Sequence, residues 1–198
     1  MRFLKSNRIL LILLMVNLCL LTYINLPSQR TIYSARISSQ TNEVYDISIS
    51  IPKVIWLGQS EKIVLYFSHP DLDEVSETIN NSSIKNLEVN IILNGAVFTP
   101  PGTSITPIIQ NKDITLQWQV DPVTGNDIIG SIWVHINSAS DSSASEFDHQ
   151  LIFTKDYSVE LLKFHNLDIS IVQIILSGLI IILLIIIFWK NLRQKNTI

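Results

Sequence analysis

Cysteine is almost absent. The single residue, Cys19, lies inside an apolar run, so the chain can form no internal disulfide. A small disulfide-stapled secreted module is excluded, and any folded domain must be held by its own core. Glycine is scarce, with six residues, and none sits in a phosphate-cradling loop. The four histidines, His69, His135, His149 and His165, form no HExxH pattern and no i, i+4 pair. Without an outer cysteine, a zinc site would need nearly all of them, and they read as surface residues. The nucleophile motifs GxSxG and SxxK are missing, and the serines of "SASDSSAS" (138–145) have no base beside them. No cofactor is implied, and the chain is not expected to be an enzyme. A carboxylate or metal site assembled from residues distant in sequence stays open as an alternative.

Charge is missing from two stretches, and there the sequence becomes informative. Ile9–Leu26 is apolar except for Asn17, Thr22 and Asn25, and Ile171–Trp189 except for Gln173 and Ser177. Nineteen helical residues span roughly 28 Å, close to a hydrocarbon core. Neither stretch carries the acids or bases that proton relays and ion pathways use, so both read as anchors. Asn17 and Gln173 could hydrogen-bond between helices, and Ser177-Gly178 is a weak small-residue patch. Trp189 beside Lys190 fits an interfacial belt. For the first stretch a cleaved signal peptide or a lipoprotein using Cys19 are alternatives. The run ends in "TYINLPSQR", without the small residues of a cleavage site, and "VNLC" lacks small residues before the cysteine, so an uncleaved helix is the expectation.

The ionised residues orient the chain. Arg2, Lys5 and Arg8 precede the first stretch; Lys190, Arg193 and Lys195 follow the second; neither tail has an acid. Basic flanks stay in the cytoplasm. Residues 28–167 carry 8 Lys/Arg against 16 Asp/Glu, which disfavours nucleic acid and anionic lipid as partners of that region. The expected organisation is a cytoplasmic tail (1–8), a transmembrane helix (9–26), an extracytoplasmic domain (27–168), a second transmembrane helix (169–189) and a second tail (190–198), in the plasma membrane.

Between the anchors no helical period persists, and short alternating runs do. They are "YDISISI", "EKIVLYF", "LEVNIIL", "ITLQWQV", "SIWVHIN" and the long "HQLIFTKDYSVELL", separated by "LGQS", "SHPDLDE", "NNSS", "LNG", "TPPGTS", "DPVTGND" and "SASDSSAS". About seven strands between turn signals predict an all-β, antiparallel β-sandwich. "ITLQWQV" has one dry face, Ile114, Leu116, Trp118 and Val120, opposite Thr115, Gln117 and Gln119. Pro122 and Gly125 are expected to build the next turn, and Gly130 to mark a bulge or a close approach. The acidic "HPDLDEVSE" offers Asp71, Asp73, Glu74 and Glu77, but Val75 stands where a calcium-binding EF-hand loop wants Asp or Asn, so it reads as a solvated loop. The sequons at Asn80 and Asn81 read as loop composition.

From Ile51 to Ile136 the chain resembles an immunoglobulin-like β-sandwich module of bacterial membrane and signalling proteins. The resemblance lies in "IPKVIWLGQSEKIVLYF", in "LEVNIIL" and "AVFTP", and in the closing Trp118, Val120, Pro122 and Gly130 of "WQVDPVTG…IGSIWVHI". It covers about 86 of 198 residues. It implies a fold and a binding or spacer role, and its motifs say nothing of catalysis; the length of "VTGNDIIG" leaves Gly125 or Gly130 open as the equivalent glycine.

Among the outer tryptophans, Trp56 and Trp118, each in a strand-like run, are expected in core or inter-sheet packing. Trp133 and His135 lie out of phase with Ile132, Val134 and Ile136, so they face away from the core and are the candidate contact with a protein partner. The expectation is a two-pass interaction or scaffold protein, an accessory subunit of a membrane complex, either with another protein or as a homo-oligomer. A signalling or transport accessory is the other alternative.

Overall fold

Alternation of apolar and polar residues makes strands because successive side chains point to opposite faces of the pleat. The computed structural model describes residues 2–38, 44–68, 85–109, 112–123, 126–139, 147–165 and 167–195, and the chain is mostly β, with ten strands and two helices there. The strands are β1 (Arg30–Ser38), β2 (Val44–Pro52), β3 (Val54–Trp56), β4 (Glu61–Ser68), β5 (Lys85–Asn94), β6 (Ala96–Thr99), β7 (Ser104–Pro107), β8 (Ile114–Pro122), β9 (Ile128–Ala139) and β10 (Phe147–Leu162). The helices are α1 (Arg2–Ile24) and α2 (Ile169–Lys195).

Two compact units divide the chain. The β unit, Ser28–Ile55 with Ser60–Leu162, contains two five-stranded sheets, in the orders β1-β2-β4-β8-β6 and β3-β10-β9-β5-β7. The pairs β1–β2, β2–β4, β4–β8 and β6–β8 of the first sheet, and β10–β9, β9–β5 and β5–β7 of the second, are all antiparallel. Alternation sets the core. Ile47, Ile49 and Ile51 of β2, Ile63, Leu65 and Phe67 of β4, and Leu87, Val89 and Ile91 of β5 are all buried, with Tyr45 stacked on Phe67 at 5.1 Å between ring centroids. Trp118 is 1 % exposed, as its phase in β8 predicts.

Several local expectations change. β1, "RTIYSARIS", and the short β3 and β7 are not among the strands that alternation predicts. β1 alternates weakly because it lies at a sheet edge, where its inward residues are only half-buried. "HQLIFTKDYSVELL" is one strand, with a register shift between Leu151 and Phe153 against β9. Pro122 is not in a turn. It ends β8, paired with Ala96, while Gly125 lies outside the described residues. The acidic run from His69 to Glu77 and the sequons at Asn80 and Asn81 also lie outside them. Gly130 is a close approach rather than a bulge: a Cβ there would fall 2.5 Å from the carbonyl oxygen of Ile92.

The helical unit comprises Met1–Pro27, Trp56–Gln59 and Lys163–Ile198. On α1 the covered positions are Leu10, Leu14, Asn17, Leu21 and Ile24; on α2 the covered large apolar residues are Ile169, Val172, Leu176, Ile180, Leu183 and Ile187, with Gln173, Gly178 and Lys190 also part-covered. Spacings of three and four residues make the narrow stripe of a coiled-coil seam. The end of α1 meets the start of α2, where Ile24, Ile169 and Val172 form a buried cluster. Gln173 Nε2 donates to Asn25 Oδ1 at 3.2 Å, whereas Asn17 Nδ2 donates to the Leu13 carbonyl of its own helix at 2.8 Å, so Asn17 and Gln173 do not pair with each other. Trp56, the last residue of β3, packs on the core of this unit. It lies against the Ile24 cluster and edge-on to Tyr23, 6.3 Å between centroids. The next residues are fastened too. Ile169 N donates to the Leu57 carbonyl at 2.9 Å, and Gly58 turns the chain at φ +82° against Asp168. Gly178 has no neighbour where a Cβ would stand, so the small-residue patch is not a packing contact within this unit.

Among the described residues, Ile169–Arg193 is long and apolar enough to cross a membrane. The apolar part of α1, Arg8–Ile24, is shorter. Trp189 lies exposed near the end of α2 with the Arg193 guanidinium over its ring, 5.4 Å from the centroid.

Candidate interaction face

The second sheet has an outward face that its strand pairing assembles in rows. β9 supplies Ile129, Ser131, Trp133, His135 and Asn137 to it, because Ile128, Gly130, Ile132, Val134 and Ile136 take the inward positions. Trp133 lies between Asn90 of β5 and Thr154 of β10 and is 44 % exposed. His135 lies between Glu88 and Leu151. Its ring is on the outward side but is half-buried rather than open, and its Nδ1 is buried with no hydrogen-bond partner among the described residues. The two predicted residues are therefore two positions apart on one strand face, with different access to solvent.

Cross-strand pairing adds residues that the strand's own sequence does not point to. Ile92 pairs with Ser131, so it stands diagonally beside both Ile129 and Trp133. Leu151 flanks His135 on one side, and Ile105 flanks Glu88 on the other. Ile92, Ile105, Ile129, Trp133 and Leu151 are all exposed. The first sheet differs. Its exposed large apolar residues are Ile32, Tyr66 and Val97, on β1, β4 and β6, and β1 and β6 are opposite edges. Tyr66 is engaged: its hydroxyl donates to the Asp113 carboxylate. That bond, helped by desolvation, pushes the Tyr66 hydroxyl above its ordinary value. The surface between is hydroxyl, amide and ion pair: Ser34 and Ser48, Gln117 and Gln119, and the bidentate Arg36–Asp46 pair at 2.8 Å. That pair holds the Asp46 carboxyl below the usual carboxylate range, chiefly through the hydrogen bonds from Arg36.

One polar cluster rims the apolar strip. Asn137 Nδ2 donates to Glu88 Oε2, and His149 Nδ1 lies 3.9 Å from the same oxygen. Asn137 is buried although it lies on the outward face, and its own Oδ1 has no partner among the described residues. Glu88 thus reaches across β9 to β10 beside His135. No group of three or more potential metal ligands converges among the described residues.

No known family's model and no curated protein sequence matches the chain. The face must therefore be interpreted from its own chemistry. An exposed indole flanked by aliphatic side chains, rimmed by an amide, a carboxylate and imidazoles, has the composition of a protein contact: an aromatic anchor with a polar border. Sequence phase located Trp133 and His135. Ile92 and Ile129 carried a weaker signal, an isoleucine out of phase in each strand. Glu88, Leu151 and Ile105 carried none, because their places follow from which strand lies beside β9.

Proposed function

We propose that this protein is a two-pass plasma-membrane protein that displays an immunoglobulin-like β-sandwich outside the cytoplasm and holds a protein partner there, as an accessory or scaffold subunit of a membrane complex. The observation that carries the reading is the contiguous apolar strip Ile129–Ile92–Trp133 on one sheet, against the polar outward face of the other. Exposed apolar surface gathered in one place marks contact surfaces, whereas scattered apolar residues do not. The membrane assignment is supported by the length and composition of α2 and by basic residues beside both helices. Arg8–Ile24, about 26 Å of helix, suffices as a short span with the Arg8 stem reaching to the interface.

The test is site-specific photo-crosslinking in intact membranes. A benzophenone amino acid replaces Trp133 in one version of the full chain and Gln117, on the polar face, in another. A discrete protein adduct is expected from position 133, lost when Ile92→Lys and Ile129→Lys are added, with none from position 117. Equal adducts from both positions, or none from either, overturn the contact assignment. Protease added to spheroplasts should cut the β unit and spare both termini; cleavage of the termini alone overturns the topology.

A further inference from the structure

We infer that β1 is a self-pairing edge, through which two copies of this chain join their first sheets antiparallel about Ser34. This goes beyond the reading above and uses a different surface. The two sheets have four edges: β1 and β6 in one, β3 and β7 in the other. β3, β6 and β7 have 3, 4 and 4 residues, and prolines follow β6 and end β7. Those edges are blunted in the usual way. β1 is not. It has nine residues, contains neither proline nor glycine, and pairs with β2 over nine consecutive positions without a register shift. Among the described residues no strand takes its other side, so a regular row of backbone donors and acceptors is left for another strand.

Charge is the other common guard of an edge, and here it is neutralised within the sheet. Arg36 is held by Asp46 in two bonds of 2.8 Å. Arg30 lies 3.6 Å from Glu61 and donates to the Ser50 hydroxyl at 2.7 Å. Neither guanidinium is an uncompensated charge that would repel an approaching strand.

The sequence then selects the occupant and the register. Only pairing centred on Ser34 uses all nine residues, Arg30 opposite Ser38 and onward to Ser34 opposite itself. Ile32, 65 % exposed, meets the apolar stem of Arg36, and Tyr33 meets Ala35, a large side chain against a small one. Thr31 meets Ile37. No like charges face each other. Centring on Tyr33 pairs only residues 30–36, and centring on Arg36 only residues 34–38, so both leave backbone groups of β1 unpaired. Because residues two apart share a face, the Ser34 register also keeps Thr31, Tyr33, Ala35 and Ile37 inward in both copies. These four are half-buried in the single chain, and Tyr33 already lies under the Lys155 ammonium, 4.4 Å from its centroid. A neighbouring copy would continue the covered face past the edge.

The register is tested by disulfide trapping of the full chain in native membranes. Cys19, an exposed thiol, is first replaced by serine. Directly opposed residues of an antiparallel pair have Cα atoms about 4.5–5.5 Å apart, within disulfide reach. Ser34→Cys should give a disulfide-linked dimer under mild oxidation, at least tenfold more than Ser38→Cys alone. Ser38→Cys and Arg30→Cys on two differently tagged copies should link to each other. Three results overturn the inference. One is a Ser34→Cys chain that stays monomeric while its Trp118 emission shows a folded core. Another is equal linkage at positions 34 and 38, which is random collision. The third is linkage of the Ser34→Cys chain to a different protein, which makes β1 an edge for another partner. None of these touches the Trp133 crosslink, so the two assignments stand or fall separately.

Discussion

Replacing Gly130 by alanine adds one methyl group to β9, and the surroundings decide what that methyl does. Gly130 lies inward, between Leu93 of β5 and Tyr157 of β10. Its Cβ would fall 2.5 Å from the Ile92 carbonyl oxygen, 2.8 Å from Leu93 Cδ2 and 2.8 Å from Tyr157 Oη. A relaxed carbon–oxygen contact is about 3.3–3.6 Å, so the carbonyl must yield by roughly 1 Å. The leucine methyl and the tyrosine hydroxyl can swing aside. The Ile92 carbonyl is main chain and cannot, because β5 is paired with β9 on both sides of it, Ile91 with Ile132 and Leu93 with Gly130. Overpacking costs about 1–3 kcal/mol, and a backbone obstacle puts Gly130→Ala in the upper part, about 2–3 kcal/mol of the 5–15 kcal/mol that holds a typical domain.

Gly102 supplies the contrast. It has φ +83° and nothing within 4 Å of its would-be Cβ. Alanine there meets only backbone strain, about 1–2 kcal/mol, and asparagine, which tolerates the left-handed region, removes much of it. The assay is urea unfolding of the full chain in mild detergent, followed by the fluorescence of buried Trp118. With a slope of about 2 kcal/mol/M, Gly130→Ala lowers the midpoint by about 1–1.5 M and Gly130→Asn by more. Gly102→Asn stays near the parent. A Gly130→Ala midpoint within about 0.25 M of the parent, or an asparagine that rescues position 130 as it does position 102, refutes the reasoning.

Other outcomes follow from single contacts. Gly58→Ala places a Cβ 1.9 Å from Asp168 Oδ1 at a left-handed residue, so it should free the Trp56–Gln59 segment from the helices and red-shift Trp56 emission, with little change in the β-unit urea midpoint. Trp118→Ala should cost about 3–5 kcal/mol in a urea titration followed by circular dichroism, since the indole reporter is gone, enough to leave a marginal domain partly unfolded; a loss under about 1 kcal/mol would mean that the indole is not packed as described. Burial raises the Tyr157 hydroxyl well above the ordinary tyrosine value. Its contribution to stability is intact below the unfolded value, about 10, and is lost as pH rises above it. Tyr157→Phe should therefore flatten the alkaline fall in stability without loss at neutral pH, since the hydroxyl is buried with no hydrogen-bond partner among the described residues. Trp133→Ala should leave the unfolding free energy within about 0.5 kcal/mol of the parent, because an exposed indole adds little to the core.

Periodicity by itself determined the class of the β unit and the facing of most side chains. The two-residue repeat put Trp118 inside and Trp133 outside, and runs without charge located both helices, because alternation and apolar run length are both properties of consecutive residues. Pairing, by contrast, is a relation between segments far apart in sequence. β1 could not be seen because an edge strand has only one neighbour and a shallow burial pattern. Trp56 does end a strand, β3, but the cluster it packs on, Ile24, Ile169 and Val172, comes from the helices and is not legible from the triplet "VIW". The candidate face was legible as two residues and became a surface only when β5 brought Ile92 and Glu88 alongside β9, and β10 brought Leu151. Which residues point outward is a local property of the pleat; which of them stand together depends on strand order and register, and these belong to the tertiary structure alone.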